Sequence, residues 1–182
     1  MSRQQQWYRE YLEDARQQIG WIDRVFRFRR AIREGVPALL QHSPEEETLV
    51  SLLVADLCIL PAPVAQRCLF VLTSHNLHVY PQQHSRITTF VGDQISPLWK
   101  IDNRAYTIEI PFSPPEVMEA RSEDDTIDPL TQFRTLLLRV HPRDWMAANV
   151  FWAAGLAAAN HWGDPAAIMQ HMEDAMRKVS KP

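Results

Sequence analysis

Glycine and cysteine are scarce, at five and two in 182 residues. So few glycines leave little room for a loop that cradles phosphates, and neither a Walker loop nor a dinucleotide-binding loop is present. The two thiols, Cys58 and Cys68, stand ten positions apart with no Cys-x-x-Cys partner. They cannot form a disulfide framework and read as buried thiols. Positive charge is not in excess either: 19 Lys and Arg face 22 Asp and Glu, for a net charge of −3. That counts against a globally basic nucleic-acid binder. The first ten residues are polar and lack the apolar core and small-residue cleavage site of a signal peptide, so a cytoplasmic location is expected. No Gly-x-Ser-x-Gly elbow surrounds Ser74 or Ser85. Together these absences argue against an enzyme and imply no cofactor.

What remains is an ordinary globular composition, 46% hydrophobic and 23% charged, of a length that suits one domain with extensions. Residues 1–35 read as one long amphipathic helix. Tyr8, Tyr11, Leu12, Ala15, Ile19, Ile22 and Phe26 form one apolar stripe; Trp21, Val25, Phe28 and Ile32 form another. Gly20 would ease a bend at the changeover, and Gly35 followed by Pro37 is a stop signal. Residues 36–47, with Ser43-Pro44 and Glu45 to Glu47, read as a linker. Thr48 to Leu60 is a long apolar run that fits helix or strand, and periodicity alone does not decide between them.

From Arg67 the chain reads as sheet. Cys68 to Thr73 and Leu77 to Tyr80 form a hairpin around Ser74-His75-Asn76. Further strands are expected at 87–91, 95–101, 106–110 (ended by Pro111) and 133–140. The acidic, proline-flanked stretch 113–130 is a solvated loop. A helix then runs from about Asp144 to Asn160, and after Gly163 a last helix begins at Asp164-Pro165. Trp145 to Trp162 contains no charged residue, but its alanines, Asn149, Asn160 and His161 suit a helix buried in protein better than a membrane span.

The order of these elements, strands in series closed by one helix, resembles the pleckstrin-homology-like superfamily. Three local features carry the resemblance. Leu69-Phe-Val-Leu-Thr-Ser-His-Asn-Leu-His-Val-Tyr80 is similar to its early hairpin, Ile95-Ser-Pro-Leu-Trp-Lys-Ile101 to a later strand, and Trp152 with Leu156 to the Trp-x-x-x-aliphatic pair of its closing helix. The resemblance implies an α+β fold: an antiparallel β-barrel or sandwich over residues 48–162, closed by a C-terminal helix, with Trp152 and Leu156 plugging the core. The N-terminal helix and a C-terminal helix at 163–182 are additions to it. The hairpin departs from lipid-binding members, because no Lys or Arg lies between Arg67 and Arg86 and an inositol phosphate needs charge-assisted donors.

His75, His78 and His84 are the best metal candidates in the sequence, but the first two point to opposite faces of an extended segment, so no metal site is expected. The feature least like a bare domain is the N-terminal helix, where Arg24, Arg27, Arg29, Arg30 and Arg33 interleave with apolar residues. Arginine and aromatic side chains anchor protein interfaces. The expectation is a non-catalytic adaptor, scaffold or complex subunit whose stripe from Tyr8 to Phe26 packs on its own domain. Trp21, Val25, Phe28, Arg29, Arg30, Ile32 and Arg33 would then meet a protein partner. Contact of the arginine segment with a membrane or phosphoinositide is the alternative, and nucleic acid is disfavoured.

Overall fold

The computed structural model describes residues 19–21, 23, 27–38, 47–59, 62–82, 87–114 and 134–179. Seven strands, β1 (Leu49–Ile59), β2 (Ala62–Thr73), β3 (Asn76–Pro81), β4 (Thr88–Val91), β5 (Lys100–Asp102), β6 (Thr107–Phe112) and β7 (Arg134–Arg139), form one sheet, followed by helices α1 (Trp145–Asn160) and α2 (Pro165–Val179). The strand order is β4-β3-β2-β1-β7-β6-β5, and every neighbouring pair is antiparallel. The protein is thus α+β, with a seven-stranded antiparallel sheet and C-terminal helices.

The expected barrel closure is not present. Among the described residues, β4 and β5 are the two edges of an open sheet. The sheet curls, however, bringing the rings of Phe90 on β4 and Phe112 on β6 to 5.0 Å, edge to face. A single bridge between Ile95 and Phe112 closes part of the gap. The strand expected at 95–101 is reduced to Lys100–Asp102, preceded by a short turn at Gly92–Gln94. In the other direction β6 continues through Pro111 instead of ending there. The Pro111 carbonyl accepts from the Ser96 amide on the side away from β7, beyond the end of the β5 ladder. The missing proline N–H faces that same side, so no ladder bond is lost.

Of the ambiguous run at 48–60, Leu49–Ile59 is strand, and apart from Ser51 and Asp56 it is apolar because both of its sides are covered. Val50, Leu53, Ala55 and Leu57 join Phe70, Leu72, Leu77 and Val79 in the main core, with Ile108, Ile110, Leu136, Leu138 and residues of α1 and α2. Leu49, Leu52 and Val54 point the other way, with Leu69, Val71 and Tyr80, into a second core completed by Ile19, Phe28, Ile32 and Val36. The described part of the N-terminal segment, from Ile19 to Ala38, is therefore a third layer, a cover over β1–β3.

Within the cover, the Ile32 amide donates to the Phe28 carbonyl, an α-type bond, whereas the Val36 amide reaches back to Ala31 across the wider turn Ala31–Gly35. Four residues overshoot one α turn by about 40°. The wider turn winds back the other way, so Phe28, Ile32 and Val36 stay on one face. Helical geometry continues to Ala38, past the expected stop at Gly35. Phe28 and Ile32, expected to face another molecule, are buried against the chain's own sheet. That correction follows from β1 and β2: their outward-facing leucines and valines need a cover, and this segment supplies it.

The core face of α1 also differs from expectation. Phe151, Ala148, Ala154, Gly155 and Ala158 are buried, while Trp152 and Leu156 flank the core half-buried. Phe151 sits edge-on to Phe70 and beside Trp99. A Cβ on Gly155 would lie 2.0 Å from the Trp99 ring, so glycine alone lets that indole cross the helix. Trp152 Nε1 donates to the Trp99 carbonyl at 3.4 Å and holds the loop in place. An almost uniformly apolar helix offers no sequence signal for its inner face, and the core placement of Trp152 and Leu156 rested on the resemblance.

Candidate partner-binding surfaces

Among the described residues, two outward surfaces and two largely buried polar networks stand out once the layers are assembled. The first surface is the outer side of α1. From Trp145 to Trp162 no side chain is charged, including those that face solvent. Met146 is 79% exposed, and Ala153 and Leu156 are half-buried. Asn149 and Asn160 lie on the same side. Each donates its amide to the carbonyl four residues back at 2.7 Å, so one of the two donors on each is satisfied within the helix. On the flank toward β5, Trp145 stacks edge-on with Tyr106 and donates to Asn103. Leu98, 67% exposed, precedes the Trp99 that Trp152 holds. Surface helices normally carry charge on their outer face. This one presents alanine, leucine, methionine and amides bonded to their own helix.

The second surface is the outer side of the cover. Trp21 is 61% exposed, and Arg29, Arg30 and Arg33 point outward. Arg30 pairs with Glu34 at 3.1 Å, both well exposed. Of the sequence-predicted partner residues, the structure thus brings Trp21, Arg29, Arg30 and Arg33 to the surface and turns Phe28 and Ile32 inward. Val25 lies outside the described residues, as do Arg24 and the acidic stretch 116–128.

What holds the cover down is a residue that the sequence reading passed over. Asp23 is 1% exposed and gathers Arg67 at 3.0 Å, with Arg27 and Arg143 each at 3.6 Å. Arg67 of β2 also pairs with Asp56 of β1 at 3.3 Å, and Arg143 pairs with Asp144 at 3.4 Å. One buried carboxylate therefore ties the cover to β2 and to the turn before α1. An acid amid arginines on an amphipathic helix carries no sequence mark that separates a tether from a solvated pair.

A second polar cluster joins the lead-in of β1 to β3 and β4. Glu47, read as a linker acid, is half-buried with its side chain largely covered, and is bonded to His78 Nε2 at 3.1 Å and to Asn76 Nδ2. His78 Nδ1 meets Thr89 Oγ1 at 2.9 Å. A carboxylate only accepts, so Nε2 carries the hydrogen; in the neutral ring Nδ1 is then the acceptor of the Thr89 hydroxyl. Burial pushes the Glu47 carboxyl up, but the bonds and charge of His78, with Asn76 and Thr73, outweigh it and hold it below the usual range. Burial, with help from the Glu47 charge, pushes the nearby Tyr80 hydroxyl up to about 12. Thr89, His78 and Glu47 have the connectivity of a hydroxyl–imidazole–carboxylate chain. Their packing between the β2–β3 turn, β4 and the lead-in to β1 makes them a clasp.

The remaining sequence candidates do not converge. His75 binds Ser74 Oγ at 2.9 Å in the hairpin turn, away from His78, and His84 and Ser85 lie outside the described residues. Cys58 and Cys68 are free and buried; burial, then the Asp56 charge, pushes the Cys68 thiol up to about 11. An open recess of about 490 Å³ lies on the β5–β6 hairpin among Lys100, Asp102, Arg104, Thr107 and Glu109. Its walls alternate in sign: Lys100 stands opposite Glu109 across the strands, and Asp102 accepts the Arg104 and Ala105 amides. Charges that neutralise one another leave little field for a ligand. Among the described residues, no helix is long and apolar enough to cross a membrane. No known family model and no curated protein matches this sequence.

Proposed function

We propose that this chain is a non-catalytic protein-binding adaptor or assembly subunit built on a pleckstrin-homology-like core. The open curled sheet and its strand order, with a C-terminal helix on the inner face, support that reading of the core. The observation that carries the functional reading is the uncharged outer side of α1, with Met146 and Leu98 standing in solvent beside it. Exposed apolar surface of this kind marks a contact site. The arginines at 29, 30 and 33 lie on the opposite side of the sheet, where a charged contact would set association rate and salt dependence more than affinity.

The test is affinity purification of the tagged chain against a variant with Met146→Glu and Leu98→Glu. Both side chains are largely exposed, so the variant should fold and melt like wild type. The proposal expects specific co-purifying chains that the variant loses; retention of the same chains by a folded variant would refute it.

A second reading has its own observation. Trp21 with Arg29, Arg30 and Arg33 on one exposed side has the composition of a surface that rests on an anionic bilayer. Co-sedimentation with phosphatidylserine vesicles decides it: pelleting that disappears when the three arginines become glutamine would support the membrane, and a protein that stays in the supernatant would exclude it.

A further inference from the structure

His161 and His171 come from different helices and meet nitrogen to nitrogen. His161 caps the C-terminus of α1, its amide bonded to the Ala158 carbonyl, and His171 lies on the exposed side of α2. His161 Nε2 and His171 Nδ1 are 3.2 Å apart, with ring centroids at 4.5 Å. In the metal-free pair one nitrogen donates and the other accepts.

The separation suits two ligands of one cation. With metal–nitrogen bonds of about 2.0–2.1 Å, nitrogens this far apart subtend about 100° at the metal, between the square-planar and tetrahedral angles. The backbone on both sides is fixed. Gly163 turns with φ +83°, and its amide donates to the Ser74 carbonyl at 2.8 Å. Asp164 Oδ1 accepts the Ala167 amide at the start of α2, and Ile168 and Met172 bury the inner side of that helix in the main core. The backbone that carries the two imidazoles is therefore held in place, which limits where the rings can move.

We propose that His161 and His171 form a two-imidazole site for a divalent transition cation of the nickel, copper or zinc class, clipping α2 to α1. Among the described residues no third His, Cys, Asp or Glu joins them. Water completes the coordination, as in an open rather than a structural site. When the cation enters, the hydrogen shared by the two rings moves to the far nitrogen of the ring that held it, so both facing nitrogens offer lone pairs and the rings stay neutral. Because the ion binds only the assembled pair, it stabilises the folded state in proportion to its occupancy.

The test uses tag-free, chelator-stripped full-length protein titrated with NiCl₂ by calorimetry, with thermal melts in parallel. Expected are saturable one-to-one binding and a melting temperature that rises with nickel. Both should weaken roughly tenfold or more in His171→Ala and in His161→Ala. His171 is exposed, so its variant keeps the fold, and His141→Ala, at another exposed histidine, should bind as wild type. Copper bound to wild type should show two imidazole nitrogens by electron paramagnetic resonance, and one in either variant. Absence of saturable binding would overturn the proposal, as would binding that is unchanged in both variants.

Discussion

The two sides of the central sheet are closed by different physics. On the inner side, α1, α2 and the curled strands β5–β7 enclose a large apolar core in which Phe70, Phe151, Ile108, Ile110, Leu136 and Leu138 are fully buried. On the outer side a short segment lays Ile19, Phe28, Ile32 and Val36 over β1–β3. That layer is pinned by Asp23 at one place and bordered by the Glu47–His78 clasp at another. Apolar packing is non-directional and large in sum. Buried ionic tethers are directional but nearly balanced by the cost of desolvating them. The inner layer therefore sets whether the chain folds, and the outer layer sets where one segment sits on it.

The largest effect should come from the inner side. Phe151→Ala should cost ~3–5 kcal/mol, the range for a buried phenylalanine truncated to a cavity. Gly155→Ala should cost at least as much as an ordinary overpacking substitution, ~1–3 kcal/mol, because the Trp99 ring occupies the space of the new methyl. Denaturant unfolding checks both. A Gly155→Ala protein as stable as wild type would mean that Trp99 has another seat.

The tethers of the outer side should matter less. Asp23→Ala leaves Arg67 with Asp56, so the loss should be ~1.5–3 kcal/mol, typical of a hydrogen bond to a charged group. Loss at the inner-core scale would show that the cover is integral to folding. The clasp adds a pH dependence. Because the folded-state pKa of Glu47 is lowered, the stability it contributes is fully present above its ordinary value of 4.5 and is lost as pH falls through the folded value. Glu47→Gln should remove that part of the acid loss in equilibrium unfolding from pH 7 to pH 3. An unaltered pH profile would mean that the carboxylate does not gain from its partners. Smallest of all, replacing Arg29, Arg30 and Arg33 with glutamine should change stability by less than ~0.5 kcal/mol, as surface charges do.

The inner side was largely legible in the sequence and the outer side was not. Alternation and turn residues mark the 68–80 hairpin and the strands near 107–112 and 134–139, and Asp164-Pro165 marks the start of α2. The 48–60 run was ambiguous because a strand covered on both faces loses its alternation. The two stripes of the N-terminal segment were visible, but not that Ile19 from one and Phe28 and Ile32 from the other share the inner face: the alignment of Phe28, Ile32 and Val36 depends on a wide turn whose hydrogen bonds leave no residue signature. Asp23 and Glu47 looked like solvated acids because burial is a property of the assembled layers. His161 and His171 are ten apart on separate helices, beyond the reach of any local pattern.

The difference between the two sides can be measured most directly by native-state hydrogen exchange on the intact chain. The amides of Ile32 and Val36 in the cover, and those of Leu136 and Leu138 in β7, are all hydrogen-bonded or buried and can be followed in one experiment. The cover should exchange through a local opening that is insensitive to low denaturant, while β7 exchanges only with global unfolding. Asp23→Ala should speed the first group far more than the second. Equal protection of both groups, falling together with denaturant and together in the variant, would contradict the account and make the cover and the core a single cooperative unit.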